Sequence, residues 1–290
     1  MIVVKTVKEM QQLSKNYRAQ NKSLGFVATM GFLHEGHLSL VEEAKNKDDI
    51  IIMSIFVNPT QFGPNEDFDS YPRDFERDRQ LAEKHGVDIL FYPSVSEMYP
   101  NELTTTIQVN KRTNVLCGKS RPGHFDGVAT VLFKLFHIIM PDHVYFGMKD
   151  AQQVAVIDGF INDYFFPLKL IACPTKRESD GLAKSSRNVN LTKEEREEAP
   201  IIYKLLQEAN TLVANGERDA KKIRETIYHK LSSAISGKID YVEILTYPDL
   251  TETRTIKGQV ILAIAVKYSK VRLIDNIILS VEEENECIEQ

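Results

Sequence analysis

Two histidines open a predicted helix near the start of the chain. His34 and His37 are three residues apart in MGFLHEGHLSL, with Gly36 between them, and the strand-like run GFVATM precedes them. At that spacing both imidazoles lie on one face of the first helical turn. A helix N-terminus offers unpaired backbone N–H groups and a positive dipole end. Two donor side chains at this point therefore predict a site for a polyphosphate.

The histidine pair allows two other interpretations. Two histidines at a helix start, taken alone, are more often surface residues. They could also bind a metal, but no third Cys, His or carboxylate ligand follows at a recognisable spacing, and the segment lacks the HExxH pattern. The combination of strand, glycine turn, histidine pair and helix favours the phosphate site over both.

A second basic segment, KRESDGLAKSSRNVNLT, follows the last predicted parallel strand. The residues of interest fall within twelve positions: Lys176, Arg177, Lys184, Ser185, Ser186 and Arg187. Arginine donates in a planar fork and serine can rotate its hydroxyl, so together they suit phosphate oxygens. A solvated basic loop is the alternative. The position favours binding, since ligands of doubly wound folds bind at the carboxyl edge of the sheet.

The segment FGMKDAQQ comes directly after the predicted strand HVYFG and carries Gly147, Lys149, Asp150 and Gln153. A lysine can contact phosphate while an aspartate takes ribose hydroxyls. Asp150 could equally be a helix N-cap. The segment therefore predicts contacts to a nucleotide.

The end of the strand-like run DDIIIMSIFVN and the long loop that follows it combine amides with carboxylates. Asn58 and Gln61 suit a neutral or carboxylate-bearing substrate. Asp67 and Asp69 in this loop, and Asp78 just beyond it, could join a magnesium shell near a triphosphate. For any one of these acids, solvation is the commoner role.

The elements that must position these segments alternate between strand and helix, which is typical of βαβ units. From about Leu191 the pattern changes to two charged helices followed by strands with alternating polarity. We predict an α/β fold: a Rossmann-like, doubly wound parallel sheet over residues 1–183, which binds the substrates. A smaller C-terminal α+β domain over residues 184–290 is expected to act as a lid, with the change between residues 176 and 190.

Composition excludes several classes of function. The chain has 36 basic and 41 acidic residues and a net charge of −5, so no broad cationic face for nucleic acid is expected. Cys117, Cys173 and Cys287 are odd in number and widely spaced, which argues against a disulfide framework or a zinc cluster. No run approaches the ~20 apolar residues of a membrane helix. We therefore predict a cytoplasmic protein.

Taken together, these segments resemble the pantothenate synthetase family of the nucleotidylyltransferase superfamily, with its His-x-Gly-His signature. The matching segments run through the chain in order: TMGFLHEGHLSL, SIFVNPTQFGPNEDFDSYPRD, RPGHFDGVATV, YFGMKDAQQ, DGLAKSSRN and AVKYSKVRLIDNI. The resemblance implies an ATP- and Mg²⁺-dependent ligase that joins pantoate to β-alanine through a pantoyl adenylate, releasing pyrophosphate and AMP. It also implies a homodimer.

The same resemblance implies residue roles. His37 is the expected proton donor, with His34 and Lys149 as its catalytic partners. The expected ATP site comprises Met30, Gly31, Phe32, Leu33, His34, Glu35, Gly36, His37, Gly147, Met148, Lys149, Asp150, Lys176, Lys184, Ser185, Ser186 and Arg187. Pantoate is expected at Gln61, Gln153 and Met30, and β-alanine at Gln61. Asn58 is expected to support His37, Arg121 and His124 to line the pocket, and Asp78 to be linked to magnesium.

Three residues depart from the family pattern: Ala28 replaces a proline, Phe32 a small residue and Met148 a polar one. Two other functions remain open on the sequence. One is an adenylyltransferase of the same superfamily whose product retains AMP; the amides Gln61 and Gln153 suit a carboxylate better than a second phosphate. The other is a nucleotide-binding scaffold without catalysis.

Overall fold

A computed structural model describes residues 1–64, 66, 68–69 and 71–281. Asp67 and Cys287 lie outside the described residues. The chain folds into two compact units: the first comprises residues 1–148 and 156–176, and the second comprises residues 149–155 together with the chain from Arg177 onward. The domain boundary between residues 183 and 184, and the lid role of the smaller domain, stay predictions.

In the described residues, the first unit contains a parallel sheet with the strand order β1-β4-β3-β2-β5-β6. Its strands are β1 (Ile2–Val4), β2 (Leu24–Thr29), β3 (Ile50–Ile55), β4 (Ile89–Phe91), β5 (His143–Gly147) and β6 (Lys169–Cys173). The order runs outward from β2 in one direction through β3 and from β5 in the other. The carboxyl ends of β2 and β5 therefore form the topological switch point, where such sheets bind ligands.

The helices of this part of the chain connect the strands. They are α1 (Val7–Ala19), α2 (Glu35–Lys45), α3 (Phe75–Lys84), α4 (Val95–Met98), α5 (Leu116–Ser120), α6 (His124–Ile139) and α7 (Ala151–Asp163). β2 and β3 are buried almost throughout, because strands covered on both faces need continuous apolar runs. The predicted doubly wound sheet is confirmed.

The second unit contains an antiparallel sheet of β7 (Lys238–Thr246), β8 (Gly258–Lys267) and β9 (Arg272–Val281), with β8 in the centre. Its helices are α8 (Lys193–Glu198), α9 (Ile201–Ala214) and α10 (Ala220–Ala234). Apolar residues of the sheet and helices, among them Leu206, Ile227 and Leu262, share one core. The predicted smaller α+β part is confirmed as a fold.

In the part of the chain that the structure describes, every helix is too short or too polar to cross a membrane.

Candidate active site

Four sequence-predicted segments of the first unit follow parallel strands. The turn Met30–His37 follows β2, residues 58–61 follow β3, Gly147 ends β5, and Lys176 comes shortly after β6. β2 pairs with both β3 and β5. Because carboxyl ends of parallel strands share one edge, these segments lie along the same rim of the sheet, as the sequence predicted.

The turn between β2 and α2 has an unusual backbone. Gly31 and Phe32 both have positive φ, +87° and +49°. Glycine adopts this region freely, but a phenylalanine does so at a cost of about 1–2 kcal/mol. Leu33 is fully buried and anchors the turn in the core. Phe32, which replaces the small residue of the family pattern, therefore lies at a position where its backbone conformation is strained.

The two histidines cap α2 reciprocally. The Gly36 backbone N–H donates to His34 Nδ1 at 3.1 Å, and the His34 N–H donates to His37 Nδ1 at 3.4 Å. The ring centroids are 4.1 Å apart. A nitrogen that accepts a hydrogen bond carries no proton, so each neutral ring has its proton on Nε2. The helix start thus presents two Nε2–H donors, a type of group that suits phosphate oxygens.

The backbone amides of the same turn are paired within the protein. Besides the two capping bonds, the Phe32 and Leu33 N–H groups donate to Asp78, and the His37 N–H donates to the His34 carbonyl at 2.8 Å. The expectation of unpaired amides at this helix start is wrong for these groups, because Asp78, the two imidazoles and the His34 carbonyl already accept from them. The predicted phosphate site therefore depends on the two imidazoles and not on these amides.

Asp78 is buried on the first turn of α3, with 1% of its side chain exposed. Its Oδ2 accepts from Phe32 at 2.6 Å and its Oδ1 from Leu33 at 2.7 Å. Burial raises the pKa of this carboxyl, although the two amide bonds oppose the shift. The link between Asp78 and magnesium stays a prediction, and the observed contacts are with the turn.

Asn58 lies at the centre of a hydrogen-bond network that holds Gln61. Its Nδ2 donates to Gln61 Oε1 and to the Gly127 carbonyl, both at 3.1 Å. Tyr99 Oη donates to Asn58 Oδ1 at 2.8 Å, and Gln61 Nε2 lies 3.3 Å from Met30 Sδ. The expected support of His37 by Asn58 is not what these bonds show, because the amide of Asn58 is committed to the turn that carries Gln61.

Arg121 and His124 continue this network. His124 Nδ1 lies 2.8 Å from the Gln61 carbonyl, and Arg121 Nη1 lies 3.0 Å from His124 Nε2. Arg121 also forms a bidentate pair with Glu66 at 2.7 and 2.6 Å. The guanidinium holds the pKa of Glu66 below its usual value. Arg121 and His124 therefore hold the turn that carries Gln61.

Two residues of this network were not predicted as site residues. Burial raises the pKa of Tyr99, which keeps its hydroxyl a donor to Asn58. Gly127 in α6 allows the helix to approach the turn, since a Cβ there would lie 2.2 Å from the Thr60 carbonyl oxygen. Both lie far from Gln61 in sequence, so local spacing could not have revealed them.

In the second unit, Lys149 and Asp150 belong to the short 3-10 turn Met148–Asp150 that follows β5, and Gln153 lies in the first turn of α7. Lys149 Nζ is 3.6 Å from Asp150 Oδ1, a contact that is weak when half of Asp150 is exposed. Asn276 Nδ2 donates to the Lys149 carbonyl at 2.9 Å and fixes the backbone at this point.

The segment from Arg177 to Arg187 begins as a hairpin, with Arg177 paired to Ala183. Arg177 donates to both oxygens of Asp275 at 2.6 and 3.0 Å, and its guanidinium lies 3.7 Å from the centre of the Tyr203 ring. Its expected place in a phosphate clamp is not supported, because the fork already binds a carboxylate of the same unit.

The rest of that segment forms the expected basic loop. Lys184 Nζ lies 2.9 Å from Glu178 Oε2. Ser185 caps the 3-10 turn Ser186–Asn190 by accepting from the Arg187 N–H at 3.3 Å. The phosphate roles of Lys184, Ser185, Ser186 and Arg187 stay predictions.

A parallel sheet with a histidine-capped turn and oriented amides at its carboxyl edge defines an α/β protein that binds small molecules at its strand ends. Comparison with known proteins identifies the family to which the chain belongs. The family model described as pantoate-beta-alanine ligase matches residues 2–278. The chain belongs to this family of enzymes, the pantothenate synthetases.

Individual relatives support the same family assignment. The chain is 60% identical over 281 residues to a pantothenate synthetase of Bacillus licheniformis, covering 97% of each chain. It is 58% identical over 279 residues to that of Geobacillus thermodenitrificans, covering 96% of each. The crystal structure of pantothenate synthetase from Thermus thermophilus is similar, with a TM-score of 0.89, 40% identity and coverage of 96% of this chain and 99% of that one.

A second similar solved structure is a complex with ligands. It is the pantoate-beta-alanine ligase of Francisella tularensis complexed with beta-gamma ATP and beta-alanine. Its TM-score is 0.79 at 38% identity, and the match covers 96% of this chain and 97% of that one.

Proposed function

We propose that this enzyme condenses pantoate with β-alanine in two steps that consume ATP. In the first, a pantoate carboxylate oxygen bonds to the α-phosphorus of ATP while the bond to the β-phosphate oxygen breaks and pyrophosphate leaves. In the second, the β-alanine amine bonds to the activated carbonyl carbon, the bond to AMP breaks, and the amine gives up a proton. Family membership and the ligands of the Francisella relative support this reaction.

The observation that carries the proposal is the pair of imidazoles with both Nδ1 atoms tied to backbone N–H groups. Fixed Nε2–H donors stabilise negative charge that develops on phosphate oxygens without reorganising during the reaction. His34 and His37 fill this role in the proposal. His37 as proton donor, and Lys149 and Arg187 as phosphate contacts, belong to the same proposal through family resemblance.

Gln61 is the proposed contact for the carboxylate-bearing substrates. Asn58 fixes the Gln61 side-chain oxygen, which leaves the amide of Gln61 oriented towards Met30. Met30 and Gln61 are both proposed pantoate residues, so their 3.3 Å contact supports a shared role. Gln153 joins them in the proposal by resemblance.

Magnesium is the remaining component of the proposed reaction. Asp78, the residue that resemblance links to the metal, does not fit as a ligand, because its two oxygens accept from backbone amides and its side chain is buried. Within the described ranges, no group of three or more His, Cys, Asp or Glu could hold a metal ion. We propose that Mg²⁺ arrives as the ATP complex, in which the phosphates supply ligands.

The test is AMP formation with pantoate, β-alanine, ATP and Mg²⁺, omitting each in turn. AMP should require all four, whereas isotope exchange between pyrophosphate and ATP should require pantoate but not β-alanine. A product that retains AMP in the presence of β-alanine would identify an adenylyltransferase instead. ATP binding without pyrophosphate release would favour a scaffold. A homodimer and a cytoplasmic location stay predictions.

A further inference from the structure

The buried carboxylate of Asp78 joins two elements that are distant in sequence. It lies on α3 and binds the backbone of the turn before α2, 46 and 45 residues away. Bonds from amides to an ionised carboxylate are about twice as strong as neutral ones. Because Phe32 and Leu33 each donate to a different oxygen, the carboxylate fixes the orientation of two successive peptide groups.

The backbone of the turn needs such a restraint. Gly31 and Phe32 both occupy the left-handed region, which Phe32 does not favour. Successive amides in this kind of conformation converge on an anion. Here the anion is internal to the protein. Gly31 also permits the close approach, since a Cβ at that position would lie 3.0 Å from Asp78 Oδ2 and 3.0 Å from Ile55 Cγ2.

One side of the turn borders a cleft. Met30, Gly31 and Asp78 line a cleft of about 560 Å³, whose other walls include Phe75 and Tyr92. A turn that borders open space can relax into it when its ties are cut. The Asp78 bonds therefore restrain the strained backbone, together with the buried Leu33 side chain and the bond from the Gly31 N–H to Thr29 Oγ1.

The turn leads directly to the histidines. His34 follows Leu33 and is the N-cap of α2, and His37 is held by the His34 N–H. We propose that Asp78 is a positioning residue that fixes the two imidazoles through the Phe32 and Leu33 amides, and that it is not a magnesium ligand. The inference deepens the proposed function and rests on it for its kinetic test.

A metal ligand would need different geometry. Magnesium binds oxygens at about 2.0–2.1 Å in a strict octahedron and keeps several waters. Asp78 is 1% exposed, both oxygens already accept backbone hydrogen bonds, and Arg77 Nη1 lies 3.4 Å from Oδ1. Binding a hydrated cation here would break the bonds that hold the turn.

The test compares Asp78→Asn with Asp74→Asn, the same change four residues earlier on an exposed side chain. Asparagine caps a helix as well as aspartate does, so Asp74→Asn should behave as wild type. In Asp78→Asn one amide N–H must face an NH2 group. We expect kcat to fall about 10- to 100-fold, as for a misplacement of about 1 Å. The ATP KM and the Mg²⁺ concentration at half-maximal rate should stay within about twofold.

Two outcomes would overturn the inference. One is a kcat for Asp78→Asn within twofold of wild type. The other is a tenfold rise in the half-maximal Mg²⁺ concentration, with kcat restored at high Mg²⁺, which would identify a metal ligand. If Asp78→Asn does not fold, Gly31→Ala serves in its place, because it strains the same contact while keeping the carboxylate. Normal kcat in that variant would equally overturn the inference.

A second measurement separates this inference from the proposed function. The ring-nitrogen NMR signals of His34 and His37 report the Nδ1 hydrogen bonds without any substrate. They should shift in Asp78→Asn and not in Asp74→Asn. If wild type forms no pantothenate, the proposed function fails, and the ring signals alone decide whether Asp78 positions the histidines. Unchanged ring signals would refute that role.

Discussion

Replacing Gly127 by alanine should destabilise the first unit even though the residue lies within a helix. Gly to Ala in a helix interior ordinarily stabilises by about 1 kcal/mol. Here the added Cβ would lie 2.2 Å from the Thr60 carbonyl oxygen and 2.6 Å from Gln61 Cα, whereas ordinary contact begins at 3.4 Å. The helix and the turn must therefore separate by about 1.2 Å. Overpacking of this kind costs about 1–3 kcal/mol or more, so the clash outweighs the propensity gain.

The same displacement should reach the substrate contact. The Gly127 carbonyl accepts from Asn58, and Asn58 orients Gln61. A misplacement of about 1 Å in a positioning group can lower the rate about 100-fold. We expect Gly127→Ala to lower the melting temperature by several degrees and to lower kcat/KM for pantoate by about two orders of magnitude. Differential scanning calorimetry and steady-state AMP formation measure the two effects.

Gly159→Ala is the matched control, because Gly159 lies within α7 and its added Cβ would meet the end of one long side chain, Arg112 Nη1 at 3.1 Å, and no backbone atom. This control should be as stable as wild type or more so, with unchanged kcat/KM. The reasoning is refuted if Gly127→Ala melts no lower than wild type and keeps kcat/KM within threefold.

Three other predictions address the histidines, the second unit and pH. His37→Ala should lower kcat by orders of magnitude, measured as turnover. It should cost no more than about 1 kcal/mol of stability, the value of a helix cap, measured by thermal melting. Near-normal turnover would show that His37 is misassigned. Arg177→Ala leaves Asp275, which is 5% exposed, without its bidentate partner, and should cost about 3–5 kcal/mol in urea unfolding; equal stability would contradict a structural role. Arg121 lowers the pKa of Glu66 in the folded state. Wild type should therefore be more stable than Glu66→Gln by a constant amount above pH 4.5, and this difference should disappear as the pH falls through the folded-state pKa of Glu66. A difference in stability that persists in acid would contradict this.

Sequence reasoning succeeded where the physical cause is local. Continuous β-branched runs predicted the buried strands β2 and β3, because a strand covered on both faces has no polar side to show. The spacing of His34 and His37 predicted neighbouring rings at a helix start, and the ring centroids are 4.1 Å apart. The prediction of a parallel sheet is enough to bring the segments after β2, β3 and β5 to one edge, although the strand order itself came from the structure.

Sequence reasoning failed where partners are far apart in the chain. Arg177 carries the same charge whether it binds a phosphate or Asp275, and its partner is 98 residues away. Asn58 could support either His37 or Gln61 until the fold places Tyr99 and Gly127 beside it. Backbone amides look unpaired in the turn before a helix in a sequence, and only the fold shows that Asp78 accepts from those of Phe32 and Leu33. Residue type limits the chemistry, whereas long-range packing chooses among the permitted partners.

These long-range contacts share one consequence for catalysis. Stabilising charge on a reacting phosphate requires donors that are already oriented, since reorienting them during the reaction would use up the stabilisation. A histidine held only by its own rotamer would not meet that need. In this enzyme the Nδ1 bonds fix each ring, His34 fixes His37, and the carboxylate of Asp78 fixes the turn that carries His34. Part of the rigidity of the proposed phosphate site therefore originates in α3, an element that contributes no proposed contact to ATP, pantoate or β-alanine.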